Sequence, residues 1–332
     1  MKSYIILLIT ILLIYIAHAK LNNNNLIIVQ SEGKGYEWGG IKLKHIFKHA
    51  FYDKTVIFDV HNRYRPHLVI KSHFGERKDY TCPYISWSGE SYRVKPKSYP
   101  PLCEINTIIV KDPNIKSFYI PYVLWTDYNH KDVQGRDHED NIGQKRYDFV
   151  YMSKNCQKHR ENLFKELKSL YKNNDKIHSL GDCQRTHDKK SDRDSYSKNH
   201  EIYKYYKFVF CMENTDVDGY ITEKIMLGFL GKSIPIYYGT KRIKEIFNEK
   251  SFFYINDYLN DNKSWSDIAR ILKKLADDDS ENGWKKYLRQ PIFRDDIEPE
   301  IFKVMNEQHL DNYAKEIGDY IRQKMRMLNI RT

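Results

Sequence analysis

Short apolar runs separated by polar, turn-rich stretches recur through the first third of the chain. Leu26–Gln30, Thr55–Val60, His67–Ser72, Tyr84–Trp87 and Thr107–Val110 are rich in β-branched and aromatic residues and read as strands. Between the first two, Ile41, Ile46, Phe47 and Ala50 recur at helical spacing and predict an apolar stripe. Strands alternating with helices imply an open parallel sheet, so the fold class is α/β. The pattern lapses after Trp125. Residues 129–146 carry no apolar periodicity and are expected to link a domain over 21–128 to a second over 147–300.

The second domain opens at Tyr147 with the strand YDFVYM and the polar loop SKNCQKH. A helix follows, with Leu163, Phe164, Leu167, Leu170 and Tyr171 on one face and Arg160 in its first turn. Further on, Phe208–Gly239 reads FVFCMENTDVDGYITEKIMLGFLGKSIPIYYG, which is strand, polar loop, helix and strand, a βαβ unit. Thr222 is the expected N-cap of that helix, and Glu223 suits the positive end of its dipole. Lys224 does not suit it unless an anion docks there. The plainer reading is a solvated surface lysine. Two cations at neighbouring helix N-termini, Arg160 and Lys224, favour a shared anion. The charged stretch Gln184–His200 reads as a surface loop, and the last third as helical, with Ile268, Ile271, Leu272 and Leu275 on one stripe and C-terminal helices over 301–332.

Composition narrows the classes. The chain has 332 residues, 41% hydrophobic and 14% aromatic, enough for a globular protein of two domains. A net charge of +11 suits a polyanion, but the lysines are scattered and carry no nucleic-acid module signature, so no nucleic-acid partner is expected. The apolar run Tyr4–Ile16, broken only by Thr10, is short for a membrane span of about 20 residues, and Ala17-His18-Ala19 fits a signal-peptidase site. Residues 1–20 therefore read as a signal anchor or a cleaved signal peptide, and either delivers the chain to a secretory lumen. Five cysteines leave at least one unpaired, and Cys82 with Cys103 is the expected pair because both lie in one domain. None shows zinc-ligand spacing. Asn262-Lys263-Ser264 is the one N-glycosylation sequon.

The order ENT, spacer, YITEK, apolar helix, IPIYYG closely resembles the donor-binding motif of the family 10 glycosyltransferases, the α1,3/4-fucosyltransferases, whose pattern is FENS, spacer, Y-[IV]-TEK, helix and [IV]-P-[IV]. Met212 and Thr215 are mild departures from it. The resemblance is strong over Phe208–Phe253, extends back to Tyr84, and is weak before that. It implies a GT-B fold of two facing Rossmann-like domains with C-terminal helices, and transfer of fucose from GDP-fucose, with inversion, to GlcNAc of a glycan or glycoprotein in α1,3 linkage. It also implies a type II Golgi membrane protein, its N-terminal segment holding the membrane if uncleaved.

Residue by residue, SKNCQKHREN resembles the loop carrying the family's pyrophosphate-binding arginine, which maps onto Arg160; an arginine fork can hold two phosphate oxygens at once. YISWSGESYR resembles the turn of related bacterial enzymes whose glutamate is the general base, which maps onto Glu90. On the residues alone, Glu90 is an ordinary turn acid; Glu104 and Glu76 are the alternatives. Lys224 would share the pyrophosphate with Arg160, Glu223 would accept from ribose hydroxyls, and Tyr220 and Asn214 would shape the sugar pocket, Asn214 reading equally as a turn residue. Asp216-Val217-Asp218 has the spacing of a metal-binding acid pair, but the expected site holds no metal, since cationic side chains fill that role; manganese would only stimulate by screening phosphate. Two rivals remain open, an inverting GT-B enzyme for another nucleotide sugar and an inactive carbohydrate- or nucleotide-binding protein of the same fold.

Overall fold

The structure is a computed structural model that describes residues 26–32, 43, 46–59, 64–72, 82–93, 99–125, 130–133, 135–173, 175–187, 198–294 and 308–330. The expected signal or anchor over 1–20 lies outside the described residues. Among the described residues no helix is long and apolar enough to cross a membrane. The described residues form two compact units, the first drawn from 1–106, 110–119 and 307–332, the second from 107–109 and 120–306.

The first unit carries six parallel strands, β1 (Leu26–Glu32), β2 (Thr55–Phe58), β3 (Leu68–Ser72), β4 (Tyr84–Ser88), β5 (Glu104–Asn106) and β6 (Ser117–Tyr119), in the order β2-β1-β3-β4-β5-β6. Every residue of β3 and β4 is buried, as in a parallel sheet covered on both faces. Ile46, Phe47 and Ala50 are helical and buried as expected, while Ile41 lies outside the described residues. The strand expected at Thr107–Val110 falls instead at Glu104–Asn106. Two polar side chains disguise it. Glu104 is fully buried against Arg93, and Asn106 donates to Ser117 Oγ at 2.9 Å. The helix Gln308–Met327 belongs to this unit, burying Ala314, Ile317, Ile321 and Met325, and Arg322 donates to Ala50 O and to Asp53.

The second unit is a five-stranded parallel sheet of β7 (Tyr147–Tyr151), β8 (Ile177–Ser179), β9 (Tyr206–Phe210), β10 (Ile234–Tyr237) and β11 (Phe253–Tyr254), in the order β11-β10-β9-β7-β8. Its helices include α1 (Glu139–Gly143), α2 (Lys158–Ser169), α3 (Glu223–Leu230), α4 (Ile255–Asn260) and α5 (Trp265–Asp277). Leu163, Phe164 and Leu167 of α2 and Ile268 and Leu272 of α5 form one core with Phe149 and Phe208, whose rings stack at 5.4 Å. The described residues of 129–146 belong to this unit and contain α1. The buried Arg136 anchors them by donating to Ser233 O and Ser251 O, a polar attachment that hydrophobic periodicity does not display. The Gln184–His200 stretch is described at its ends, and Asn199 and His200 begin a helical turn, Asn199–Tyr203.

The disulfide joins Cys156 to Cys183, while Cys82, Cys103 and Cys211 are free, which corrects the expected Cys82–Cys103 pair. The bridged cysteines stand on the loops that follow β7 and β8, neighbouring strands, so topology brings together residues 27 apart in sequence. Gly181 lets those loops touch. A Cβ there would lie 2.4 Å from Ser153 N and O.

Candidate functional site

Strand order places the reversal of winding between β7 and β9, since β8 lies on one side of β7 and β9 and β10 continue on the other. Ligands of open α/β sheets bind at the carboxyl ends of the strands at such a reversal. Three loops meet there: 152–157 after β7, 211–222 after β9 and 238–242 after β10.

The loop after β9 is organised by Glu213, a residue to which sequence reasoning gave no role. Glu213 is fully buried. Its carboxylate accepts from Thr222 N at 2.7 Å, from Thr222 Oγ1 at 2.8 Å and from Lys224 Nζ at 3.1 Å. Thr222 caps α3 as expected, accepting from Lys224 N, and its Oγ1 also accepts from Lys224 Nζ at 2.9 Å. The cap, the lysine and the buried acid are one network. Gly239 makes room for it. At φ 152 its backbone favours glycine, and a Cβ would lie 3.0 Å from Glu213 Cγ. The position of Glu213 inside ENT, ahead of YITEK, is the only signal the sequence offered, because a buried acid cannot be told from a turn acid without its partners.

Arg160 sits in the first turn of α2 and is 3% exposed. Its Nε donates to Met212 O at 3.0 Å, Nη1 to Ser153 Oγ at 3.2 Å and Asn155 O at 3.0 Å, and Nη2 to Met212 O and to Asn214 Oδ1 at 2.8 Å. All the N–H groups a guanidinium possesses are thereby engaged by protein. Arg160 thus ties the loop after β7 to the loop after β9 and orients Asn214. Beside it, His159 Nε2 lies 2.9 Å from Glu213 O, and its ring stacks on Tyr238 at 4.3 Å.

Electrostatics follow burial. Burial pushes the Glu213 carboxyl above the usual carboxylate range, and the Lys224 charge only partly offsets this. Burial also pulls the Lys224 ammonium down, but Glu213 and Glu223 together outweigh it and hold the group above the ordinary lysine value. Lys224 is therefore a cation at neutral pH, with 26% of its side chain exposed. Arg160 is pulled below the usual arginine value by burial, against the opposing influence of Glu213.

Of the other expected residues, Glu223 stands in the first turn of α3 with its carboxylate 3.8 Å from Lys224 Nζ, and Tyr220 is buried at the end of the same loop. Arg160, Asn214, Tyr220, Glu223 and Lys224 thus share one group of loops. Asp216 and Asp218 have protein partners: Asn256 donates to Asp216 at 2.7 Å and Arg242 pairs with Asp218 at 2.6 Å. Among the described residues, the one cluster of metal-ligating types is Cys156, Glu161 and Cys183, and its two sulfurs form the disulfide.

Glu90 belongs to the first unit, on the turn after β4. Its N donates to Ser88 Oγ at 3.3 Å, and Ser88 Oγ donates to Tyr92 O at 2.7 Å. Burial, and then the Glu90 charge, raises the neighbouring Tyr92 phenol. Glu104, the first alternative, is fully buried and paired with Arg93 at 2.7 Å, so its carboxylate is committed to holding that turn. Glu76 lies outside the described residues.

The pattern of glycosyltransferase family 10 (fucosyltransferase), C-terminal part, matches residues 142–325. A putative fucosyltransferase of Acanthamoeba polyphaga mimivirus is 28% identical over 230 residues, covering 67% of this chain and 36% of the relative. The alpha-(1,3)-fucosyltransferase FucT of Helicobacter pylori is 43% identical over 60 residues, 18% of this chain and 13% of its own length. The chain thus spans about a third or less of the curated relatives it matches. A crystal structure of an alpha1,3-fucosyltransferase superposes with a TM-score of 0.58 at 17% identity, covering 86% of this chain and 90% of that one. A structure described as that enzyme with GDP-fucose gives 0.55 at 18%, over 86% and 92%. The fold is therefore α/β of the GT-B type, with parallel sheets. With more than half its length matched by the family pattern, including the loops built around Glu213 and Lys224, the chain belongs to glycosyltransferase family 10, the fucosyltransferases.

Proposed function

We propose that the protein transfers fucose from GDP-fucose, with inversion, to a GlcNAc hydroxyl of a glycan in α1,3 linkage. The observation that carries this reading is Lys224, a cation fixed at the N-terminus of α3 by Glu213 and Thr222, at the carboxyl ends of the strands. There an ammonium and a helix N-terminus can both meet a diphosphate, whose charge grows as the glycosyl bond breaks. Glu223 accepts from ribose hydroxyls, and Asn214 and Tyr220 shape the sugar pocket. Arg160 adds its charge from beneath the loop. Direct contact with phosphate would require it to exchange a partner such as Ser153 or Asn155. Glu90 removes the proton from the attacking hydroxyl. No metal is required, and manganese acts only as a stimulant. The Cys156–Cys183 disulfide supports a secretory, oxidising compartment, with the Golgi membrane the proposed destination.

The test is donor turnover. GDP release from GDP-fucose with a GlcNAc-terminated acceptor should far exceed release from GDP-mannose or UDP-sugars, and linkage analysis of the product should give α1,3. Preference for another nucleotide sugar would replace fucose in this reading. GDP binding without turnover of any donor would leave a binding protein.

A further inference from the structure

A cavity of about 440 Å³ lies beside β11, the edge strand of the second sheet, within the size range of small-ligand sites. Tyr258, Tyr287, Glu249, Asp257, Lys286 and Gln290 give it its chemistry. Two aromatic rings are held in place. Tyr258 stacks on Phe253 at 4.6 Å and 7°, and Tyr287 meets Phe208 edge-on at 6.4 Å. Fixed rings of this kind offer apolar contact at little entropic cost.

The lining itself carries both signs, two acids (Glu249 and Asp257) and two lysines (Lys250 and Lys286), with Lys244 as a third cation behind the acids. Lys244 Nζ lies 2.7 Å from Asp257 and 3.0 Å from Glu249, so both acids of the lining are already paired. Lys250 and Lys286 add two cations to the wall. A wall of mixed sign offers neither a polyanion nor a bare metal ion a surface of uniform opposite charge. A neutral ligand with many hydroxyls suits it well. Carboxylates accept from hydroxyls, lysines donate to them, the Gln290 amide does both, and tyrosine rings cover the apolar C–H faces of a pyranose.

The cavity is separate from the donor loops but shares α4 with them. Asn256 donates to Asp216 at 2.7 Å and accepts from Gly239 N at 3.2 Å, while the next two residues, Asp257 and Tyr258, line the cavity. We propose that this cavity is a neutral-saccharide subsite, distinct from the donor site, that holds a sugar unit of a glycan.

The test uses the full chain with N,N′-diacetylchitobiose as probe, read by saturation-transfer NMR and calorimetry. Saturable binding that persists with saturating GDP is expected, weakened about tenfold or more in Gln290→Ala and in Asp257→Ala, with GDP affinity unchanged. Gln290→Ala removes no ion pair and keeps the test readable if Asp257→Ala is less stable. Absence of saturable binding, displacement by GDP, or undiminished binding in folded Gln290→Ala would overturn the proposal. Neither readout needs turnover, so failure of the fucosyltransferase reading would show separately, in the donor assay.

Discussion

Lys224 Nζ lies 3.1 Å from Glu213 Oε2, with Glu213 fully buried and 26% of the lysine side chain exposed. The acid anchors the cation from below while the cation keeps a face toward solvent. That relationship makes Lys224 a structural counter-charge and, in the proposed function, also the group presented to an anion at the N-terminus of α3.

Lys224→Ala should therefore fail twice. Loss of a charged hydrogen bond to phosphate should weaken GDP binding about ten- to a hundredfold, which calorimetry reads. Leaving Glu213 buried without its partner should also lower unfolding stability by about 3 kcal/mol in denaturant titration. Unchanged GDP affinity would remove Lys224 from the donor site. Unchanged stability would mean that Glu213 is neutral in the folded protein.

The buried acid also predicts a pH dependence. Burial raises the Glu213 carboxyl in the folded state above its unfolded value. Its stabilising contribution is then full below the unfolded value, about 4.3, and is lost as pH rises through the folded one. Stability of the parent relative to Glu213→Gln should accordingly rise as pH is lowered from neutral toward 4.3, about the ordinary glutamate value. A flat difference across that window would show that Lys224 fully compensates the burial.

The Cys156–Cys183 bridge pins the loop that supplies Ser153 and Asn155 to Arg160. Cys183→Ser should cost about 2 to 4 kcal/mol of stability, as closing a loop of this kind contributes. It should also weaken GDP binding, because Arg160 orients Asn214. Cys82→Ser touches neither loop and should leave GDP binding unchanged. Equal effects of the two variants on GDP affinity would sever the disulfide from the donor loops.

Much of this was legible beforehand because it rests on local pattern. The βαβ unit over Phe208–Gly239, the Thr222 cap and the apolar face of α2 are short-range features that periodicity and capping preferences display. What stayed hidden depends on partners that periodicity and capping preferences do not name. Glu213 looks like any turn acid until Thr222 and Lys224 close over it. Arg160 reads as a free first-turn cation, yet Met212 O and Asn214, more than 50 residues away, take its fork. Cys156 and Cys183 pair because β7 and β8 are neighbours, which spacing alone does not reveal. Residues 129–146 look like a linker because Arg136 attaches them through carbonyls rather than an apolar stripe.

Chelation of divalent metal should leave turnover intact, since Asp216 and Asp218 are occupied by Asn256 and Arg242 and the proposed diphosphate site already has the Lys224 cation. Turnover is measured with and without EDTA, then with added manganese. If EDTA abolished activity and Asp218→Asn did the same, the DVD turn would be a metal site and the cationic account would fall.

Glu90 is the group proposed to remove the proton, and its surroundings allow a discriminating test. The turn that carries it is fixed by Ser88 Oγ and by Arg93, whose guanidinium holds the buried Glu104 at 2.7 Å and Asp112 at 2.7 Å. Glu90→Gln keeps the size of the side chain and leaves that frame untouched, but the amide cannot take the proton. Turnover should drop about 10²- to 10⁴-fold, with GDP affinity and the unfolding midpoint unchanged. Glu104→Gln should behave differently. It removes the counter-charge of Arg93 from a fully buried position, so stability should fall first and activity only as the turn loosens. Full turnover in a folded Glu90→Gln protein would move the base to another residue. Loss of both stability and GDP binding in that variant would make Glu90 a structural acid.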